Sequence, residues 1–329
     1  MSRRLVAALI IGSVGISAHS QQAGTSALPA KATSLQREQE YPDKPEALRR
    51  IALYEASIRQ LESSTPIAGE ALLKAYQQLG SLYVYVAMYA KAEDAMRHAI
   101  ALLRNGPQDQ LAAEIGQLAI LHIAMGELHE SEKEDFEALR IREQVGDPLG
   151  IAQVWNDLGG LYVKKRDFRK AADFAQKAMA VLGDDPRGDP IDRIAVRQTL
   201  GVALCELHDC ARAIPILKES IELAKATFGP ESLPVGVAGY FLGTAYWRNG
   251  DMVTAADWLS QGIASMKATL GWGHPTYLNA LTKYAHFLRQ RGDVQAADLV
   301  ESEVRQASAV VDVRTLTAGS SAFAAGVPQ

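Results

Sequence analysis

The sequence is poor in the residues that mark most catalytic and nucleic-acid-binding proteins. It contains two cysteines, aromatic residues make up only 7% of the chain, and the net charge of −4 leaves no basic excess. A nucleic-acid-binding protein needs a concentrated basic surface, so nucleic acid is not indicated as a partner. The sequence also lacks a P-loop, a Rossmann glycine fingerprint, an HExxH motif and a GxSxG motif. No cofactor, catalytic residue or metal ligand is therefore predicted.

The two cysteines lie close together in the sequence, with a histidine between them. Cys205, His208 and Cys210 form the only cluster of metal-ligand residue types. A zinc site needs a fourth ligand, and none lies nearby, so a helix–helix turn is favoured over a metal site. An oxidising compartment would permit a disulfide between the cysteines, whereas two free, partly buried thiols are the alternative. The spacing alone leaves both open.

The N-terminal segment has the layout of a secretory signal peptide. Arg3 and Arg4 precede an apolar run of 12 residues, from Leu5 to Ile16, and Ala18-His19-Ser20 supplies small residues for cleavage after Ser20. The run is shorter than the roughly 20 residues that cross a bilayer, although an uncleaved anchor is the alternative. We therefore predict an exported protein, periplasmic or secreted, with a signal peptide at 1–20 and a disordered leader at 21–42. The mature chain is predicted to have no membrane span.

A repeated pattern organises the rest of the chain. Leu242-Gly243-x-x-Tyr246 followed by Gly250-Asp251 returns as Tyr284-Ala285-x-x-Leu288 followed by Gly292-Asp293, 42 residues later. The small residue of this pattern recurs upstream at intervals of 39, 40, 42, 42 and 42, at Gly80, Ala119, Gly159, Gly201, Gly243 and Ala285. A period in this range indicates a solenoid built from stacked helical hairpins.

The repeat has a physical explanation in helix packing. Two helices approach within 8–10 Å only where small side chains face each other, and an Ala or Ser follows each small residue twelve positions later. Gly126, Gly250 and Gly292 lie where a helix should end in the left-handed conformation. The acidic residue after each turn suits the cap or the first turn of the next helix. Arg166-Asp167 and His208-Asp209 keep the acid without the glycine.

These residues resemble the tetratricopeptide repeat. The linker Gly271-Trp272-Gly273-His274-Pro275 and the partial match at Gly229-Pro230-Glu231 are similar to the kinesin-light-chain-like subfamily with its 42-residue repeat. The resemblance implies an all-α, right-handed superhelical solenoid of about six antiparallel helix hairpins over residues 66–306. Asp43 and Pro45 predict the start of an N-terminal capping helix, within 43–65. The tail at 307–329 is predicted to hold a short extended piece at Val310-Val311-Asp312-Val313, followed by disorder.

The resemblance also implies a binding surface, because the first helix of each hairpin lines the concave face of such arrays. Carried over to this chain, the groove positions include Glu206, Thr282 and Gln290 among others. The residues predicted to contact a partner are Tyr240, Trp247, Arg248, His286, Arg289, Asn156, Lys164 and Tyr85. Trp, Tyr and Arg are enriched at interaction hot spots, and Arg side chains can hold a carboxylate in bidentate fashion. Ordinary surface aromatics and solvated cations are the alternative interpretation.

A non-catalytic protein-interaction scaffold or adaptor, binding a peptide or protein on the concave face, is the function that this surface favours. A periplasmic assembly chaperone for envelope or secretion machinery is the second hypothesis. An enzyme using the turn at Cys205, His208 and Cys210 is the third and least favoured. Because one fold hosts many functions, the sequence alone does not choose between the first two.

Overall fold

The computed structural model describes residues 44–63, 69–183, 185 and 187–323, without the side chains of 44 and 310–323. Over these residues the chain forms thirteen helices and no strand. They are α1 (Lys44–Glu62), α2 (Gly69–Tyr85), α3 (Tyr89–Leu103), α4 (Gln108–Met125), α5 (Leu128–Val145), α6 (Pro148–Lys164), α7 (Phe168–Leu182), α8 (Pro190–Glu206), α9 (Cys210–Phe228), α10 (Leu233–Arg248), α11 (Met252–Leu270), α12 (Pro275–Arg291) and α13 (Val294–Phe323).

The helices after α1 pair into six hairpins, from α2–α3 to α12–α13. Each helix packs on its neighbours in chain order, and the first helices α4, α6, α8 and α10 also contact one another directly. These first helices bury more residues than their second-helix partners, so they form the inner layer of the stack. The predicted all-α repeat solenoid is therefore confirmed. The predicted domain limits along the chain remain predictions.

Small residues let the two helices of each hairpin approach closely, as predicted. A side-chain carbon added at Gly201 would lie 2.6 Å from the side chain of Leu217, and one at Gly243 would lie 2.9 Å from the backbone nitrogen of Leu259. The alanines twelve residues after each small position are fully buried, as at Ala213. Gly201 and Gly243 are thus required by space, because a larger residue at either position would push the two helices of its hairpin apart.

Every hairpin turn contains one residue in the left-handed conformation, seven positions after the small residue. These residues are Ala87, Gly126, Arg166, His208, Gly250 and Gly292, with φ between 61° and 92°. The prediction for the three glycines is confirmed. Ala87, Arg166 and His208 adopt the same backbone in spite of their side chains, which costs each of them about 1 kcal/mol or more. The stacking of the hairpins therefore imposes the turn geometry even where the sequence does not favour it.

Polar side chains at the helix starts confirm several capping predictions. The carboxylates of Asp167 and Asp251 accept hydrogen bonds from the backbone N–H groups of Lys170 and Thr254, at 3.2 and 3.0 Å. His274 caps α12 through its ring Nδ1, which accepts from the backbone N–H of Thr276 at 3.2 Å. These caps satisfy backbone donors that have no partner inside the helix.

A disulfide joins Cys205, near the end of α8, to Cys210, the first residue of α9. Their Cα atoms lie 4.3 Å apart, across the turn that contains His208 in the left-handed conformation. Of the two alternatives left open by the spacing, the structure contains the bonded one. The bridge closes the turn of the fourth hairpin covalently.

The prediction of a short extended piece at 310–313 was wrong. Helix α13 continues through the predicted extended piece at 310–313 and ends at Phe323. Three β-branched valines favour a strand only when a neighbouring strand is present to pair with, whereas here they extend an existing helix. The predicted signal peptide at 1–20 and leader at 21–42 lie outside the described residues. Among the described helices, none combines the length and the apolar character needed to cross a bilayer.

Candidate binding site on the concave face

A row of charged side chains crosses the inner layer at one level. Lys164, Glu206 and Arg248 are the last residues of α6, α8 and α10, the first helices of three successive hairpins. The Arg248 guanidinium lies 2.6 Å from a carboxylate oxygen of Glu206. This ion pair links the fourth hairpin to the fifth. It involves Arg248, one of the predicted site residues.

Trp247 lies beside this row and connects the fifth hairpin to the sixth. Its indole N–H donates to the side-chain oxygen of Gln290 at 2.9 Å, and its ring packs edge-to-face on His286 and Phe287, with centroids 5.7 and 5.5 Å apart. The Gln290 amide nitrogen in turn lies 3.0 Å from Nε2 of His286. Trp247 is partly exposed and His286 is exposed, so both present an aromatic surface held in a fixed orientation.

Lys283 belongs to the same face of α12, although the sequence did not single it out. It precedes His286 and Gln290 by three and seven residues, the spacing of one helix face. Surrounding protein atoms and the positive charge of Lys283 lower the pKa of Lys164 to about 8. The pKa of Lys283 is also lowered, by the same desolvation and by Arg248, against the opposing charge of Glu206. Lys164, Glu206, Arg248 and Lys283 thus form one electrostatically connected group, the basic cluster.

Three predicted contact residues lie in the interior instead of on the groove surface. Tyr240 is 3% exposed, and its backbone packs against Gly262 of α11. Asn156 is fully buried, and neither its amide nitrogen nor its amide oxygen has a hydrogen-bond partner among the described residues. Tyr85 is buried at the end of α2, away from the fifth and sixth hairpins. The assumption that all three are surface contacts was wrong, because the first helices pack more closely than the repeat positions alone indicate.

Arg289 also differs from the prediction. Its guanidinium forms two hydrogen bonds to the carboxylate of Glu301, both at 2.8 Å, and one to Asp298 at 2.7 Å. These two acids raise the pKa of Arg289 further above its ordinary value. Because both acids belong to α13, Arg289 ties α12 to the last helix, and its donors are not directed at a ligand in the groove.

The second hairpin holds a separate group of buried polar side chains. His122 is 1% exposed, so its imidazole is packed in the interior, and its Nδ1 lies 2.6 Å from Glu134. Burial opposes its positive charge, but Glu134 and Glu93 outweigh burial and raise the pKa of His122. Burial, with Glu134 and Glu132, raises the pKa of Asp135 well above its usual range. In the part of the chain that the structure describes, no group of three His, Cys, Asp or Glu side chains is arranged to hold a metal ion.

Comparison with protein families identifies the repeats. The family model of the tetratricopeptide repeat matches residues 109–183 and 192–268, which cover the second to fifth hairpins. The chain contains tetratricopeptide repeats over these residues. No curated protein matches the sequence. The small residues at the hairpin contacts and the left-handed turns described above therefore belong to tetratricopeptide repeats.

Several solved structures share the fold of these tetratricopeptide repeats. BtubC (BKLC) from P. vanneervenii is 22% identical, with a TM-score of 0.53 over 69% of this chain and 93% of its own. The Rap conjugation gene regulator of the plasmid pLS20, in complex with the Phr* peptide, is 15% identical, with a TM-score of 0.66 over 87% and 73%. A Rap protein complexed with Competence and Sporulation Factor is 12% identical, with a TM-score of 0.57 over 81% and 77%. At these identities the similarity is one of fold.

Proposed function

We propose that this protein is a non-catalytic interaction scaffold that binds an extended peptide, or an extended segment of a protein, on the concave face of its repeats. The proposed contact surface consists of Trp247, His286 and Gln290, together with the basic cluster beside them. It runs across the first helices of the last four hairpins. The proposal is independent of the identity of the partner.

The observation that carries this proposal is the fixed position of Trp247. A partly exposed indole, held by a hydrogen bond from Nε1 to Gln290 and by ring contacts to His286 and Phe287, loses little side-chain entropy on binding. Aromatic anchors of this kind supply much of the energy at protein interfaces. Charged groups at its edge add polar contacts that can orient a peptide.

The comparison structures support the same proposal. The plasmid pLS20 regulator, which shares this fold over most of the chain, was solved in complex with the Phr* peptide. A solenoid of stacked hairpins offers a long inner surface but encloses no pocket by default, which suits a peptide better than a small substrate. The non-catalytic character of this chain is part of the proposal.

Selection from a random-peptide library against the purified protein tests the proposal, followed by affinity measurements on the enriched peptides. The variant Trp247→Ala/Arg248→Ala should weaken their binding by on the order of a hundredfold, the loss of about 2.7 kcal/mol expected at a hot spot. Trp272→Ala/Arg187→Ala is the matched control, because it removes the same two residue types from sites outside this surface. Circular dichroism of both variants establishes that they remain folded.

Two results would contradict the proposal. One is that no peptide is enriched over a blank matrix. The other is that enriched peptides bind the Trp247→Ala/Arg248→Ala variant as tightly as the parent protein. An equal loss of affinity in the control variant would likewise mean that the peptides bind elsewhere on the protein.

We further propose that the protein acts in an exported compartment. The basic, apolar and small-residue segments of residues 1–20 support this proposal, and the disulfide between Cys205 and Cys210 agrees with an oxidising environment. Fusion of residues 1–20 to alkaline phosphatase, which is active only after export, provides the test. An inactive fusion, alongside an active fusion to an established signal peptide, would contradict it.

A further inference from the structure

We propose that the disulfide between Cys205 and Cys210 is a redox switch for the binding surface on the concave face. In the bonded form, the disulfide fixes the turn of the fourth hairpin, and with it the ion pair between Glu206 and Arg248 beside Trp247. Reduction to two thiols by a dithiol releases the turn and weakens peptide binding. This inference rests on the proposed peptide-binding function and adds the regulation of that function.

The first observation is that the fourth hairpin closes its turn differently from other hairpins. The positions four and nine residues after the small residue hold Val84 and Tyr89 in the first hairpin, and Ile123 and Leu128 in the second. In each hairpin the two residues belong to the same apolar cluster. In the fourth hairpin the same two positions hold the cysteines. The closure of this turn therefore depends on a bond that a reductant can break.

The second observation is that the backbone of this turn is strained. His208 has a φ of 65°, in the left-handed region that a residue with a side chain rarely adopts. Glycine occupies the equivalent position in the second, fifth and sixth hairpins, where it adopts this backbone without strain. The disulfide joins Cα atoms only 4.3 Å apart on either side of His208. The bond therefore opposes relaxation of the turn, and its loss allows His208 to leave the left-handed conformation.

The third observation is the connection from this turn to the binding surface. Glu206 directly follows Cys205, so it lies inside the loop that the disulfide closes. Its carboxylate lies 2.6 Å from the guanidinium of Arg248 in the fifth hairpin. Arg248 follows Trp247, whose indole is held by Gln290 of the sixth hairpin. A change in the last turn of α8 should therefore alter the Arg248 side chain beside the Trp247 indole.

The position of the bond indicates how a reductant reaches it. Both cysteines are 5% exposed, whereas Leu207 and His208 between them are exposed. Exposed loops open locally at a much lower free energy than the whole fold. We therefore expect reduction to follow local opening of this turn, while the hairpins of the array stay folded.

The chemistry of the switch is thiol–disulfide exchange with a reductant of the dithiol class. A thiolate of the reductant attacks one cysteine sulfur, which forms a mixed disulfide and displaces the other cysteine as a thiolate. The second thiolate of the reductant then displaces the remaining cysteine. Two electrons and two protons pass to the cysteines, and a disulfide forms in the reductant. An oxidised dithiol reverses the reaction.

Affinity measurements on the full chain test the inference, with the tightest library-selected peptide as the probe and dithiothreitol as the dithiol. Reduction of the parent protein should weaken binding by on the order of tenfold. Cys205→Ser/Cys210→Ser should bind like the reduced parent, with or without dithiothreitol. Cys205→Ile/Cys210→Leu carries the apolar pair of the second hairpin. It should keep the affinity of the oxidised parent and should not respond to dithiothreitol.

Thermodynamic reciprocity supplies a second measurement. A peptide that binds the disulfide form about tenfold more tightly than the dithiol form must lower the reduction potential of the disulfide by about 30 mV. The fraction of reduced protein in defined mixtures of reduced and oxidised dithiothreitol, with and without saturating peptide, measures this shift. A potential that the peptide leaves unchanged would overturn the inference.

Two further results would overturn it. One is that Cys205→Ser/Cys210→Ser binds the peptide as tightly as the oxidised parent protein. The other is that Cys205→Ile/Cys210→Leu loses affinity in dithiothreitol, because the response would then not come from this disulfide.

Hydrogen exchange separates failure of the switch from failure of the peptide-binding function. Reduction should speed amide exchange at the end of α8, at the start of α9 and at the end of α10, and should leave α4 and α5 unchanged. If peptides bind in a Trp247-dependent manner and with equal affinity to the oxidised and reduced protein, the switch fails and the function stands. If exchange responds to reduction but no peptide binds, the redox-sensitive turn stands and the function fails. If neither is observed, both fail.

Discussion

The second and fifth hairpins have the same backbone arrangement but opposite interiors. In the fifth, Gly243 packs on Leu259, and fully buried Ala255 completes the contact between α10 and α11. In the second, the positions equivalent to Leu259 and Ala255 hold Asp135 and Ser131, both fully buried. Where the fifth hairpin has Tyr246, the second has His122. One hairpin interface is therefore apolar and the other polar.

This difference shows that the repeat tolerates polar residues at its contacts when neighbouring hairpins hold the helices in place. Solenoid stability is a sum of each repeat and its interfaces, so a weak unit can be supported by the units that flank it. The energetic cost of burying polar groups in the second hairpin falls mainly on Asp135. Its two carboxylate oxygens have no hydrogen-bond partner among the described residues. The second hairpin should therefore respond to pH, and the fifth should respond to the removal of apolar volume.

The largest effect is expected in the fifth hairpin. Leu259→Ala removes a buried side chain that fills the groove against Gly243, and it should lower the free energy of unfolding by about 3 kcal/mol. Urea unfolding followed by circular dichroism measures this loss. Val253→Ala, at a 77% exposed site on the same helix, is the control and should change stability by less than about 0.5 kcal/mol. Similar effects of the two substitutions would contradict the apolar interface.

In the second hairpin, the substitution Asp135→Leu should act in the opposite direction. It replaces a buried carboxyl group without partners by the residue type of the fifth hairpin, and it should raise the free energy of unfolding at pH 7 by about 1–3 kcal/mol. The raised pKa of Asp135 means that the folded protein binds more protons than the unfolded chain above about pH 4. Stability should thus fall as the pH rises from 4, and Asp135→Leu should remove this part of the dependence.

The control for Asp135 is Asp173→Leu, at an exposed position on α7. It should leave the pH dependence unchanged. A lower unfolding free energy in Asp135→Leu at pH 7 would show that the carboxylate is stabilised by contacts in the second hairpin, and the account of its polar interior would then be wrong.

His122 should contribute a smaller pH effect of the same sign. Its raised folded-state pKa, caused by Glu134 and Glu93 against burial, makes the protonated form the stabilising one. This stabilisation is fully present below the unfolded pKa of about 6.5 and is lost as the pH rises through the folded pKa. His122→Phe should flatten the stability profile on the alkaline side of pH 6. His98→Phe, at an exposed site on α3, should leave the pH dependence of stability as it is in the parent protein. A flatter stability profile in this variant would contradict the role assigned to His122.

The sequence was sufficient for the architecture because the repeat depends on local features. Small residues at Gly201 and Gly243 indicate helix contacts directly, and Gly126 marks a turn. The left-handed backbone of Arg166 and His208 was not predictable in this way, since neighbouring hairpins impose it against the preference of the residue. Local propensity also failed at 310–313, where β-branched residues continue α13.

The candidate site was harder to predict because burial and pairing depend on residues far away in the sequence. Repeat positions placed Trp247 and Arg248 beside the groove, but they did not show that Tyr240 is buried. They also gave no sign that Arg289 would pair with Glu301 and Asp298 on α13. Lys283 was missed because its repeat position is not among those that usually line the groove. Its spacing from His286 and Gln290 was the signal that could have revealed it.

The smallest effects are expected at the turns. Arg166→Gly should raise the free energy of unfolding by about 1 kcal/mol, because glycine adopts the observed φ of 61° without strain. Gly250→Ala, in the equivalent turn of the fifth hairpin, should lower it by a similar amount. Thermal unfolding of the two variants measures both changes. Loss of stability in Arg166→Gly would mean that the arginine side chain, which lies over the ring of Phe168, stabilises the fold by more than its left-handed backbone destabilises it.

Site-specific photocrosslinking tests the central proposal, peptide binding on the concave face, most directly. Benzoylphenylalanine in place of Thr282, on the groove face of α12, is compared with the same amino acid in place of Val253, on the outer helix α11. A library-selected peptide should crosslink to the protein substituted at position 282, and unlabelled peptide should suppress the reaction. Crosslinking at position 253 but not at 282 would contradict the account, because the ligand would then lie on the convex side of the array.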